Sequence, residues 1–225
     1  MPGDGTIMYP APRMVPGQQR HGLTHLKVWW PRIILFGNVF VADTGNHTIR
    51  KITPTGAVTL FAGTVTAGAG VLGTEDTAAG PPAVVAKFSS PQGVGWPRIH
   101  SFGDVYVADS SNHTIRRITT PEAVVSLFAG TAGRAGATSA GISSPSGVAV
   151  DSSGNVYVTD YSNHLIRKIT SEGVVTTLAG STRGYKEGAG TAARFKAPTG
   201  VAVDSSGNVY VADNRSNRIR KIEYK

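Results

Sequence analysis

Residues 145–180 read PSGVAVDSSGNVYVTDYSNHLIRKITSEGVVTTLAG, and this stretch decides the fold. GVAVD, NVYVTD, HLIRKI and VVTTLAG are short segments rich in Val, Ile, Thr and Tyr, and several alternate apolar with polar residues, as half-buried strands do. Between them, DSSGN and TSEG carry hairpin-turn chemistry, because Gly and Asn tolerate positive φ. The pattern predicts a four-stranded antiparallel meander. No segment of the chain reads as a convincing amphipathic helix.

The same unit recurs along the chain. GNVFVADTGNHTIRKI (37–52), GDVYVADSSNHTIRRI (103–118), GNVYVTDYSNHLIRKI (154–169) and GNVYVADNRSNRIRKI (207–222) align without gaps. AVTLFAG (57–63) and VVSLFAG (124–130) match VVTTLAG (174–180), and PTGVAVDSSG (198–207) matches PSGVAVDSSG (145–154). One four-stranded unit cannot bury both of its apolar faces, so tandem units must stack on one another. The fold class is therefore all-β, a β-propeller of four-stranded antiparallel blades with four recognisable repeats, at about 28–63, 88–130, 142–180 and 195–225.

The pattern P-x-G-V-A-V-D-x-x-G-N-V-Y-V-A-D-x-x-N-H-x-I-R-K-I resembles the NHL repeat over roughly residues 37–225. Asn46-His47, Asn112-His113 and Asn163-His164 occupy the Asn-His position of that repeat, and the last unit departs with Ser216-Asn217. The resemblance implies a propeller fold and leaves function open, since propellers of this kind serve many roles. They most often have six blades, so these four, which stop at Lys225 after a third strand, are expected to be part of a larger ring. Open blade edges would invite self-association. The resemblance also implies a bacterial extracellular or cell-envelope setting, although the N-terminus lacks the basic start and apolar core of a signal peptide.

Two units lack GVAVD and carry VWWPRIILFGN (28–38) and VGWPRIHSFGD (94–104) instead. Trp-Pro-Arg is a poor strand, because Pro cannot donate to a ladder. The codons for Trp-Pro-Arg-Ile, read one base earlier after a G, permit Val-Ala-x-Asp, and the same shift over Gln18–Trp30 permits a run like SPQGV at 90–94. Residues 1 to about 34 and a few around 95–100 are therefore read as out-of-frame translation, and residues 1–27 as a segment without evolved structure.

The repeated polar residues are the candidates for chemistry. Asp43, Asp109, Asp160 and Asp213 end the Tyr-Val-Ala-Asp strand, and Asp151 and Asp204 end GVAVD. Carboxylates gathered near a propeller axis can bind a divalent cation, and they can equally cap turns. His47, His113 and His164 recur at one position and can converge on zinc or bond within turns and between blades. Repetition in every blade favours the structural use, together with Asn46, Asn112 and Asn163, because an active site needs differentiated residues. The pairs Arg50-Lys51, Arg116-Arg117, Arg167-Lys168 and Arg220-Lys221 are the ligand-binding candidates. They can form a stripe for phosphate or acidic peptide or pair with the blade aspartates. No aromatics suited to base stacking are interleaved with them, which weakens an RNA reading.

The bulk properties narrow the classes. With Cys 0, disulfides and thiolate metal sites are excluded, and no apolar run approaches the ~18–20 residues of a membrane helix. The net charge of +8 favours acidic partners, but Arg13, Arg20, Lys27 and Arg32 against Asp4 supply part of it from the segment read as out-of-frame. Gly68-x-Gly70-x-x-Gly73 has no following helix and is set aside as a loop. No nucleophile elbow or cofactor motif is present, so no cofactor and no metal are expected. The inserts 64–88 and 181–195 are expected on one face of the disc as binding loops. The reading is a non-catalytic module that binds protein, peptide or glycan. Its alternatives are a metal-dependent lactonase or lyase-like enzyme and a nucleic-acid or acidic-ligand binder using the Arg/Lys stripe.

Overall fold

The computed structural model describes residues 38–64, 86–96, 103–120, 123–136 and 141–223. Of the segments read as out-of-frame, residues 1–34 and 97–100 lie outside the described residues, whereas Gly95 ends a strand and Trp96 is buried. Most of the 64–88 insert also lies outside the described residues.

Among the described residues the chain forms four antiparallel sheets with no α-helix. The first contains β1 (Val39–Asp43), β2 (Thr48–Ile52) and β3 (Val58–Ala62). The second contains β4 (Pro91–Gly95), β5 (Val105–Asp109), β6 (Thr114–Ile118) and β7 (Val125–Gly130). The third contains β8 (Pro145–Val150), β9 (Val156–Asp160), β10 (Leu165–Ile169) and β11 (Val175–Ala179). The fourth contains β12 (Pro198–Val203), β13 (Val209–Asp213) and β14 (Arg218–Ile222). Each sheet is a simple meander; the second and third have the four strands predicted from residues 145–180, and the first and fourth have three among the described residues. The second blade makes its inner strand from PQGVG, which pairs through Gly95 with Tyr106 and stops before the Trp-Pro-Arg run.

The turns explain why the strands stop where they do. Asp151 Oδ1 accepts the backbone N–H groups of Ser153 and Asn155, both at 2.9 Å, and Asn155 Nδ2 donates to Oδ2. The side chain thus closes the DSSGN turn from inside; Asp204 repeats it with Ser206 and Asn208. The next turn places His47, His113, His164 and Asn217 in the left-handed region, at φ of 57, 60, 60 and 51°.

Alternation along each strand sends side chains into two different interfaces. Val105 and Val107 pack towards the first blade with Ile49 and Phe88. Tyr106 and Ala108 face the opposite way and join Val156, Val158 and Ile142 of the third blade. Tyr157 and Ile166 join Val209, Val211 and Phe195 of the fourth. The core is therefore a set of slabs between successive sheets, as radial stacking requires.

The inner strands approach so closely that only glycine fits. A Cβ on Gly147 of β8 would lie 2.5 Å from the carbonyl oxygen of Thr199 and 3.0 Å from the nitrogen of Val201 on β12. Gly93 of β4 is in the same position against Ser146 and Val148. The glycine of P-x-G-V is thus an axial packing requirement. Thr159 secures the contact: its Oγ1 accepts the Gly147 N–H at 2.6 Å and donates to the Thr199 carbonyl at 2.9 Å. Gly147→Ala is expected to cost about 1–3 kcal/mol by overpacking. Urea unfolding measures this, and an unchanged midpoint would show that the inner strands are not in contact.

Candidate functional site

The repeated polar residues converge on the segment that leads into each inner strand. In the second, third and fourth blades the aspartate closing the second strand is almost fully buried and accepts a backbone N–H from this segment: Asp109 from Ser89 at 2.7 Å, Asp160 from Ser143 at 2.8 Å, Asp213 from Lys196 at 2.7 Å. Asn112 and Asn163 donate to the second carboxylate oxygen of Asp109 and Asp160 at 2.8 and 2.9 Å. Asn46 clamps Asp43 in the same way.

The next residue of the segment is held from the preceding blade. His47 Nδ1 accepts the N–H of Ser90 at 3.0 Å, His113 Nδ1 that of Ser144 at 3.0 Å, and His164 Nδ1 that of Ala197 at 3.1 Å. A backbone N–H can only donate, so Nδ1 must be unprotonated in each ring. Ser90, Ser144 and Ala197 have φ of 50, 48 and 53°, a backbone form that non-glycine residues adopt only when surroundings hold it there. Two successive amides are thus gripped from opposite sides, one by the blade's own aspartate and one by its neighbour's histidine.

In the second, third and fourth blades the first basic residue of the pair completes the grip. Arg167 is fully buried; its Nε donates to Asp160 at 2.9 Å, and its terminal nitrogens reach Thr177 Oγ1 at 2.7 Å and the Gly141 carbonyl at 2.6 Å. Arg220 makes the equivalent contacts with Asp213 at 3.5 Å and the Arg194 carbonyl at 2.5 Å. Arg116 lies 3.7 Å from Asp109 and donates to the Lys87 carbonyl at 3.4 Å. Arg50 stands in the same register, opposite Val41, and is half-buried. Arg116, Arg167 and Arg220, offered by the sequence as part of a ligand-binding stripe, are buried between blades and engaged.

The second basic residues lie on the other side of the sheet, each cross-strand from an aromatic: Lys51 from Phe40, Arg117 from Tyr106, Lys168 from Tyr157 and Lys221 from Tyr210. Sequence inspection missed this interleaving because the partners are strand neighbours distant in sequence. Tyr106 and Tyr157 are buried in inter-blade cores, so their faces are not open to a base. Arg117 pairs with Asp104 at 3.7 Å and Lys221 with Glu223 at 3.2 Å.

A second constellation lies where the repeat is broken. Arg183 and Tyr185 from the 181–195 connection, Lys196 from the segment before β12, Arg215 from the β13–β14 turn and Arg218 at the start of β14 line an open cleft of ≈ 540 Å³. Nothing in the repeat pattern pointed to it, but the departures in 214–218 were visible as departures. Among the described residues, no group of three or more His, Asp or Glu stands close enough to hold a metal ion.

Burial shifts three of these groups, Asp109, Asp160 and His164. It outweighs the donors around Asp109 and pushes that carboxyl up to about 6, and it also raises Asp160. Burial lowers His164, helped by the positive charges of Arg183 and Arg215. Asp109, raised in the fold, favours folding fully below its ordinary 3.8 and loses that contribution as pH rises through about 6. The lowered His164 has the opposite sign: its contribution is complete above 6.5 and is lost as pH falls below that value. Replacing His164 with Ala leaves a buried amide unpaired and is expected to cost about 1–3 kcal/mol near neutral pH. The variant should then lose less stability than the parent between about pH 7 and 5; urea melts at both values check this. Asp160→Ala, which strands the Arg167 charge, is expected to cost more, about 3–5 kcal/mol. An equal or smaller loss than for His164→Ala would contradict the grip described here.

Comparison with known proteins agrees with this architecture. The family model for the NHL repeat matches residues 143–169 and 195–222. Among curated proteins, SUPPRESSOR OF QUENCHING 1, chloroplastic, from Arabidopsis thaliana is 26% identical over 200 residues, which cover 82% of this chain and 18% of that protein. Among solved structures, an auxiliary nutrient binding protein from Bacteroides thetaiotaomicron superposes with a TM-score of 0.62 at 18% identity, covering 84% of this chain and 46% of that one. Virginiamycin B lyase from Staphylococcus aureus superposes with a TM-score of 0.50 at 17% identity, over 86% and 54% of the two chains. This chain spans about half the length of those structures and far less of the plant protein, and at these identities the likeness is one of fold. The chain thus carries NHL repeats at residues 143–169 and 195–222 and folds as successive blades of a β-propeller.

Proposed function

We propose that this chain is a non-catalytic binding module, a rigid stack of blades whose ligand-facing surface lies in the loops where the repeats differ. One observation carries the reading: the buried aspartates and arginines of the second, third and fourth blades, and the three repeated histidines, are already engaged in holding the blades together. Asp109, Asp160 and Asp213 accept backbone amides, three histidines accept the amides that follow, and Arg116, Arg167 and Arg220 are buried against those aspartates. A nucleophile, base or metal ligand needs a free lone pair facing a substrate, and these lone pairs face the chain itself. What stays differentiated is the loop chemistry of the 181–195 connection and the 214–218 turn. A binding protein and a lyase both occur among the similar folds, so the fold does not choose between binding and catalysis. The occupancy of the repeated residues favours binding.

The rival is a metal-dependent lactonase or lyase, with the three imidazoles as its most natural metal ligands. They are held in successive blades by three separate amides, which keeps each Nδ1 turned to its own neighbour. Elemental analysis for zinc and calcium on the purified chain, paired with a lactone-turnover assay, tests the choice. Less than one metal ion per chain and no turnover above the uncatalysed rate are expected. Stoichiometric metal together with turnover that disappears on chelation would make the protein an enzyme.

A further inference from the structure

The cleft between the third and fourth blades is where this chain stops obeying its own repeat. Arg215 stands where the other units carry Gly45, Ser111 and Ser162, and Arg218 stands where they carry Thr48, Thr114 and Leu165. Lys196 replaces Ser89 and Ser143. Thr48 and Thr114 are buried within their blades, whereas Arg218 is exposed. Blade stacking does not call for these three cations, since the other blades stack without them.

Their surroundings fit an anion. Arg183, Lys196, Arg215 and Arg218 converge on one cleft, and none of the four makes an ion pair among the described residues. The carboxylates nearby are occupied: Glu187 accepts from Arg220 at 3.0 Å and from the Tyr185 hydroxyl at 2.7 Å, and Asp213 is buried against Arg220 and the Lys196 amide. One of the cations is pre-positioned: the Arg218 guanidinium lies over the Tyr185 ring at 4.2 Å and donates to the Ser216 carbonyl at 2.9 Å. Like charges gathered without an ion-pair partner of their own repel until an anion enters. Guanidinium groups bind carboxylate and phosphate oxygens in bidentate fashion. The cleft's ≈ 540 Å³ suits a small ligand.

We propose that this cleft binds a small oxyanionic ligand bearing two or more negative charges, a phosphate ester or a polycarboxylate, through Arg183, Lys196, Arg215 and Arg218. This rests on the binding-module reading and names its ligand chemistry. Isothermal titration of the full chain with inorganic pyrophosphate and, separately, with citrate tests it. The double variant Arg215→Ser, Arg218→Thr restores residues that the second blade already tolerates as Ser111 and Thr114, so it should fold. It is expected to lose about 10- to 100-fold in affinity. Arg134→Ser removes an exposed cation from the equivalent connection one blade earlier and should leave affinity unchanged. Preference for pyrophosphate identifies a phosphate ligand, and preference for citrate a polycarboxylate. The proposal is overturned if neither anion binds, if the double variant binds as well as the parent, or if Arg134→Ser weakens binding equally, which would mean diffuse attraction. Binding of single-stranded RNA at the same residues, far tighter than either small anion, would replace it with a nucleic-acid site. None of these outcomes bears on the metal and turnover assays, so the two readings fail separately.

Discussion

Everything in this structure depends on two consecutive backbone amides. The chain enters the second, third and fourth blades through a short segment ending in Pro91, Pro145 or Pro198, and the two amides ahead of the proline point in different directions. One goes to the aspartate of the blade being entered, the other to the histidine of the blade just left. The second amide belongs to a residue in the left-handed region, and this conformation lets the two directions differ. Proline then begins the inner strand without needing a donor of its own.

This arrangement turns a local motif into an inter-blade bond. Asp, Asn, His and Arg lie within a few positions of one another in sequence, so the residues look like the contents of one turn. In space they join two blades and the linker between them. The buried arginine extends the hold by reaching a carbonyl two residues upstream of the gripped amide, at Lys87, Gly141 and Arg194. A charge buried this deeply contributes little unless every donor is met, and Arg167 is the best satisfied of the three. The apolar slabs between sheets supply most of the driving force; the polar grip selects the spacing and angle at which they meet.

The fold was legible in the sequence because the alternation, the turns and the repetition all pointed to the same answer. Residues 145–180 alone predicted the meander, and the structural use of the aspartates and histidines followed from their recurrence. Less was legible of the arginines. Whether Arg167 faces solvent or an aspartate depends on strand register and the bulge beside Ile166, which periodicity does not report. The aromatic neighbours of Lys51, Arg117, Lys168 and Lys221 were hidden for the same reason. The cationic cleft was least visible, because Arg183, Lys196, Arg215 and Arg218 are brought together only by the stacking of two blades.

The repeat therefore divides its residues between two tasks. What is common to the blades builds the scaffold, and what differs between them is free to meet a ligand. The most direct measurement of the first half is nitrogen-15 NMR of the imidazoles with amide hydrogen exchange of the linker. His47, His113 and His164 should each carry their proton on Nε2 and show through-bond coupling from Nδ1 to the amides of Ser90, Ser144 and Ala197, which should exchange slowly. Averaged tautomers with fast-exchanging linker amides would contradict the account.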